Sequence, residues 1–201
     1  MKEDNFICHS GGCPGADMAW EVAGEEYGVK TISYSFHNHQ HQGKHPKILT
    51  RDELEEGYNA CRKADETLKR NFDRIQYPYV RNLMARNWFQ IKNSDEVFAI
   101  AKTMTSTTVE GGTGWAIQMA IDSRKPIWVY DQVNKHWWTY VYKSNPSLFV
   151  GDTFIPMGNY IPFISKHNFA GIGTRDLTDD GMTAILQVYK KTFNESQEKT
   201  D

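Results

Sequence analysis

Three short apolar runs each lead to a glycine-rich turn and then to a helical pattern, and this recurrence restricts the fold more than any other feature of the chain. The runs are Phe6-Ile7-Cys8, Val97-Phe98-Ala99-Ile100 and Phe169-Ala170-Gly171-Ile172. An unbroken apolar run bounded by turn residues suits a strand covered on both faces, the usual state of a strand in a parallel sheet. After the first turn, Ser10-Gly11-Gly12, residues Asp17 to Tyr27 read as a helix with Ala16, Ala19, Trp20 and Ala23 on one stripe and Gly28 placed to end it. Val29 to Phe36 reads as the next strand, which completes a βαβ unit in about 30 residues.

The same alternation continues. Residues 37–49 are polar, carry His37, His39, His41 and His45, and read as a loop. Thr50 with Glu53 forms a capping-box signature, opening a helix that runs to about Arg70. Pro78 precedes a helix in which Val80, Leu83, Met84, Asn87 and Trp88 share a face. Glu96 to Ala101 reads as a buried strand, Trp115 to Ile121 as a helix and Ile127 to Tyr130 as another strand. Thr178 or Asp179 caps a last helix that reaches about Tyr189, and the polar tail after Phe193 frays. Residues 136–163 mix apolar runs with Asn, Gly and Pro; they suggest a hairpin near Leu148 to Ile155 and a candidate cap or insertion. The predicted fold is a Rossmann-like three-layer α/β sandwich with a mostly parallel central sheet, forming one domain over residues 1–201.

Composition narrows the partners. The net charge is -2, from 23 basic and 25 acidic residues, and no basic block is visible, so nucleic acid is disfavoured. No stretch approaches the roughly 20 apolar residues that span a bilayer, and the first residues lack the apolar core of a signal peptide. Three cysteines, Cys8, Cys13 and Cys61, make neither a disulfide framework nor a zinc set, and read as reduced thiols in the cytoplasm. The four histidines lack a metal-motif spacing, so neither a metal site nor a cofactor is expected; a surface loop or a lid over a pocket fits them better.

The glycine turns are the candidate site. Ser10, Gly11, Gly12 and Gly15 lie where backbone N–H groups at a helix start can meet a phosphate or carboxylate. The spacing is not that of a dinucleotide-binding fingerprint, and no GK[ST] follows as in a P-loop. The second turn offers Gly111, Gly112, Thr113 and Gly114, with the Thr108 hydroxyl before it and, after it, Trp115, which either stacks on a base or fills the core. Arg175, after the third run, is placed to clamp a phosphate. Arg86 and Asn87 are candidates for a phosphate or ribose hydroxyl, while Asp17 and Glu110 are the carboxylates available for acid–base work.

The stretches SGGCPGAD, SDEVFAI and EGGTGWAIQMA, together with LMARNWFQIKNSDEVFAI and FAGIGTRDL, resemble the SLOG superfamily from residue 6 to about 190. That superfamily includes the lysine-decarboxylase-like cytokinin phosphoribohydrolases, a DNA-processing branch, and a branch of uncharacterised proteins that includes proposed molybdenum carriers; this chain is most similar to the last. The resemblance implies a Rossmann-like fold, a nucleotide-type ligand and a homodimer. In the phosphoribohydrolases the motif PGGxGTxxE supplies a catalytic glutamate. Laid on this chain, its glycines fall on Gly111, Gly112 and Gly114, but its threonine becomes Trp115, its glutamate Gln118 and its proline Glu110. A neutral Gln118 can bind a ligand but cannot exchange a proton as a carboxylate does. The expectation is therefore a protein that binds a phosphorylated nucleotide or nucleotide-derived molecule at paired glycine loops. N-glycoside hydrolysis of a nucleoside monophosphate, resting on Asp17 or Glu110, is the first alternative and a molybdenum-cofactor carrier the second.

Overall fold

The computed structural model describes residues 6–143 and 151–194. The chain opens with β1 (Ile7–Ser10), α1 (Ala16–Glu25), β2 (Lys30–Ser35) and β3 (Pro46–Ile48), then lays down two long helices, α2 (Arg51–Leu68) and α3 (Pro78–Lys92). It continues through β4 (Glu96–Ala101), α4 (Gly111–Asp122), β5 (Ile127–Asp131), β6 (His136–Val141), β7 (Thr153–Pro156), β8 (Asn168–Gly173) and α5 (Asp179–Phe193). The Thr50–Glu53 capping box forms at the start of α2, with Thr50 Oγ1 accepting the Glu53 N–H and the Glu53 carboxylate accepting the Thr50 N–H.

The eight strands among the described residues join one sheet in the order β3-β2-β1-β8-β4-β5-β6-β7. Pairings from β3 through β5 are parallel, and β6 and β7 add antiparallel strands at one edge. The segment expected as a cap thus supplies two edge strands; Leu148 to Val150, at the start of the expected hairpin, lie outside the described residues. Pro46–Ile48, read as loop, is a short exposed edge strand; its polar sequence carries no alternation from which to infer pairing.

Helices cover both faces, giving a three-layer Rossmann-like sandwich. On one face α1 and α5 bury Trp20, Ile185 and Tyr189 against Cys8, Phe98, Ile100 and Phe169 of the sheet. On the other, α2, α3 and α4 bury Cys61, Ile91, Trp115 and Ile117 against Val97, Ala99, Ala170 and Ile172. Side chains thus alternate between faces along β4, which is buried at every position, and burying Phe98 and Phe169 is worth roughly 1.5–3 kcal/mol each. Gly171 matters to this packing: a Cβ there would lie 2.7 Å from Trp20 and 2.9 Å from the Cys8 sulfur, so only glycine lets α1 settle onto β8.

The strand order decides where a ligand can sit. After β1 the chain builds outward to β2 and β3, crosses back to β4 and β5, and finally returns to place β8 between β1 and β4. The carboxyl ends of β1, β8 and β4 are thus neighbours at the point where the winding reverses, the place where open α/β sheets leave a crevice.

Candidate functional site

A cleft of about 440 Å³ opens at that point. Its walls come from the β1–α1 turn (Cys13, Asp17), the start of α4 (Glu110, Gly111, Gly112, Thr113), the turn after β8 (Gly173 to Asp176), Lys102 at the end of β4, and one face of α3. The α3 face is Leu83, Met84, Arg86, Asn87 and Gln90, whose three- and four-residue spacing aligns them along one side of the helix.

The first glycine loop faces inward. The Gln90 carboxamide, with its oxygen turned to the loop, accepts the Gly11 N–H at 2.9 Å. Glu21, on the buried side of α1, accepts the Ser33 hydroxyl at 2.8 Å and also the Gly12 N–H, and burial raises its pKa above the ordinary carboxylate value. Asp17 accepts the Cys13 N–H, the Gly173 N–H at 3.2 Å and Arg86 Nη2 at 3.4 Å. Burial raises the Asp17 pKa, opposed first by the Arg86 charge and then by the two amides. Ser10 is fully buried and donates to the Asp17 carbonyl at 3.2 Å. Gly15, at φ 95°, packs on the third loop rather than only on its own strand: a Cβ would lie 2.5 Å from the Arg175 carbonyl oxygen, and Ala16 N–H donates to Thr174 O at 3.0 Å. The first loop's donors thus have acceptors within the protein.

The second loop faces outward. Arg70, at the end of α2, holds it from behind, donating to Gly111 O at 2.9 Å, Val109 O at 2.7 Å and Thr108 Oγ1 at 3.3 Å. Asn87 Nδ2 donates to Gly112 O at 3.3 Å. The carbonyls of the turn are therefore engaged, whereas Glu110, the residue before α4, makes no side-chain cap. Among the described residues nothing accepts the N–H groups of Gly112 and Thr113, which line the cleft at the positive end of the helix.

Charges at the mouth are unevenly matched. Lys102 pairs with Asp176 at 2.8 Å across an exposed rim, a contact of small net worth. Arg86, 5% exposed, pairs with Asp17. Arg175 is exposed and has no carboxylate within ion-pair distance among the described residues.

Of the residues singled out in the sequence, Asp17, Arg86, Asn87, Glu110, Gly111, Gly112, Thr113 and Arg175 border the cleft together. Ser10, Gly11, Gly12, Gly15 and Thr108 brace it. Trp115 lies in the core, edge-on to Phe72 at 5.6 Å, and Gln118 donates to Asp122 at 2.8 Å on the side of α4 turned from the cleft. Sequence reading missed Lys102, Gln90 and Arg70. Gln90 was within reach, since it stands one helical turn beyond Arg86; Arg70 and Lys102 carry no local signal. The histidine loop packs on the first glycine loop, where Gln42 N–H donates to Gly12 O at 2.8 Å, and among the described residues no group of three His, Cys, Asp or Glu is arranged to hold a metal.

Fold and cleft together define the class, a Rossmann-like α/β protein with a crevice at the carboxyl edge of its sheet. No family model, curated protein or solved structure matched the chain. Among the described residues no helix is long and apolar enough to cross a membrane.

Proposed function

We propose that this chain binds a phosphorylated, nucleotide-type small molecule, with the phosphoryl group at the first turn of α4 and beside Arg175. The observation that carries the reading is the pairing, on one cleft, of Gly112 and Thr113 N–H groups that have no acceptor among the described residues with the Arg175 guanidinium, which has no carboxylate within ion-pair distance among them. An anion answers both needs at once. The volume lies within the range of small-molecule sites, and Leu83, Met84, Ala116 and Ile172 supply apolar wall for the organic part of the ligand. The SLOG resemblance supports the same ligand class.

Capture is favoured over hydrolysis. Asp17 already accepts three hydrogen bonds within the protein, so it suits a bracing role better than proton exchange with a ligand. Glu110 is the lining carboxylate without an ion-pair partner among the described residues, and a glycosidase would have to rest on it.

Calorimetry with a panel of nucleoside monophosphates and the matching nucleosides tests the reading. At least one monophosphate is expected to bind and its nucleoside to bind far more weakly; equal affinity for the two would defeat the phosphoryl site. Chromatography of the same mixtures for free base tests capture against hydrolysis, and base release abolished by Glu110→Gln would reverse that choice.

A further inference from the structure

The cleft holds a cysteine whose surroundings differ from those of the other two. Cys13 lines the wall at 6% exposure, and three nitrogen-bearing groups surround its sulfur: Arg86 Nη2 at 3.1 Å, His39 Nε2 at 3.6 Å and Arg175 Nη2 at 3.9 Å. His39 is buried and stacked on Phe36 at 4.8 Å, and its Nδ1 lies 3.0 Å from the Ser35 hydroxyl. Burial, then the charges of Arg86, His41 and Arg175, push its pKa down to about 4, so the ring is neutral near pH 7. The Ser35 hydroxyl takes the Nδ1 end of the ring, and the Nε2 end faces the sulfur, so ring and thiol share one hydrogen-bonding contact. Two guanidinium donors and an imidazole nitrogen thus converge on one sulfur, a set that would offset the charge developing on sulfur as the S–H bond gives way during attack. Asp17, on the same cleft, is occupied by the Cys13 and Gly173 amides and by Arg86.

A second observation points to a ligand at the same place. Arg86, on the cleft wall and nearly buried, keeps its Nε–H without an acceptor among the described residues. Cys8 and Cys61, by contrast, are fully enclosed in apolar clusters, and burial pushes both thiols up.

We propose that Cys13 is a nucleophile of the cleft, attacking an electrophilic carbon of an anionic ligand held beside Arg86 and Arg175. On a carbonyl carbon an S–C bond forms, the C=O π pair moves to oxygen, and the thiol's proton ends on that oxygen. This addition balances without oxidant, reductant or leaving group. The inference goes beyond binding and does not depend on where a phosphoryl group sits.

Alkylation of the native protein tests it. With iodoacetate the sulfur bonds to carbon as iodide departs with the C–I electron pair, and the thiol's proton passes to solvent. Peptide mass spectrometry after timed exposure to iodoacetate or to neutral iodoacetamide reads each cysteine separately. Cys13 is expected to react while Cys8 and Cys61 stay unmodified until the chain is unfolded. Its preference for the anionic reagent should exceed that of the same cysteine in the unfolded chain by about tenfold, because the Arg86 and Arg175 guanidinium groups stand beside the sulfur and attract an anion there. Arg175→Gln, at an exposed position, should bring that ratio back toward the unfolded value, and His39→Gln should slow both reagents. Cys13 labelling no faster than Cys8, or a reagent ratio equal to that of the unfolded chain, would overturn the proposal.

Discussion

The first and second glycine loops look alike in sequence, yet the structure uses them in opposite ways. Both follow a strand and open a helix. In the first, Gln90, Glu21 and Asp17 accept the N–H groups of Gly11, Gly12 and Cys13, and the loop becomes a brace between α1, α3 and the turn after β8. In the second, Arg70 and Asn87 take the carbonyls, and the N–H groups of Gly112 and Thr113, residues of the cleft wall, have no acceptor among the described residues. A glycine-rich strand-to-helix turn is therefore not by itself an anion cradle. What decides is whether side chains from elsewhere reach its donors or its acceptors.

Glycine substitutions should break the symmetry most sharply. Gly15→Ala combines a φ of 95° with a Cβ 2.5 Å from a backbone oxygen, and is expected to cost about 3 kcal/mol or more in denaturant unfolding. Gly112→Ala meets only the end of the flexible Met84 side chain at 3.3 Å and should change stability by less than about 1 kcal/mol. Similar losses at the two positions would undo the contrast.

His39, packed against the first loop, should make the closed region acid-sensitive. Its pKa near 4 in the folded protein lies below the ordinary 6.5, so the unfolded chain binds the extra proton first. Its contribution is full above pH 6.5 and is lost as pH falls toward 4, amounting to about 3 kcal/mol. The buried carboxyls Asp17, Glu21 and Glu96, with pKa raised by burial, act in the opposite direction, since the folded chain takes up their protons before the unfolded chain does. The difference in pH slope between the native protein and His39→Gln isolates the histidine; identical slopes would contradict the assignment.

At the open region the effects should fall on ligand and not on folding. Arg175→Gln is expected to weaken nucleoside monophosphate binding about tenfold, about 1.4 kcal/mol, with unfolding midpoints unchanged. Lys102→Ala should cost less, about threefold, because Lys102 is already paired with Asp176 on an exposed rim. Calorimetry beside denaturant unfolding checks both.

The α/β layering was legible because it is written locally. The unbroken run Val97 to Ile100 signalled a strand covered on both faces, Thr50 with Glu53 marked the start of α2, and the glycine turns marked the strand ends. The insertion of β8 between β1 and β4 was not legible, since no nearby residue encodes which strand a late segment will pair with. That insertion brings Arg175 against Gly15 and closes the first loop. The same long-range placement explains Glu21 and Gln90, ordinary helix residues whose partners lie on other elements. Trp115 was open in sequence between stacking on a base and filling the core; the turn of α4 decides for the core by carrying its ring toward Phe72 and away from the cleft. Trp137 and Trp138, consecutive on β6, fall on opposite faces of the sheet, as strand alternation requires.

The most direct measurement is a proton–nitrogen NMR titration of the ¹⁵N-labelled chain with a nucleoside monophosphate. The amide signals of Gly112 and Thr113 should move with increasing ligand while those of Gly11 and Gly12, bonded to Gln90 and Glu21, stay near their starting positions. Movement at Gly11 and Gly12 with Gly112 and Thr113 unchanged would contradict the assignment of the second loop as the anion site.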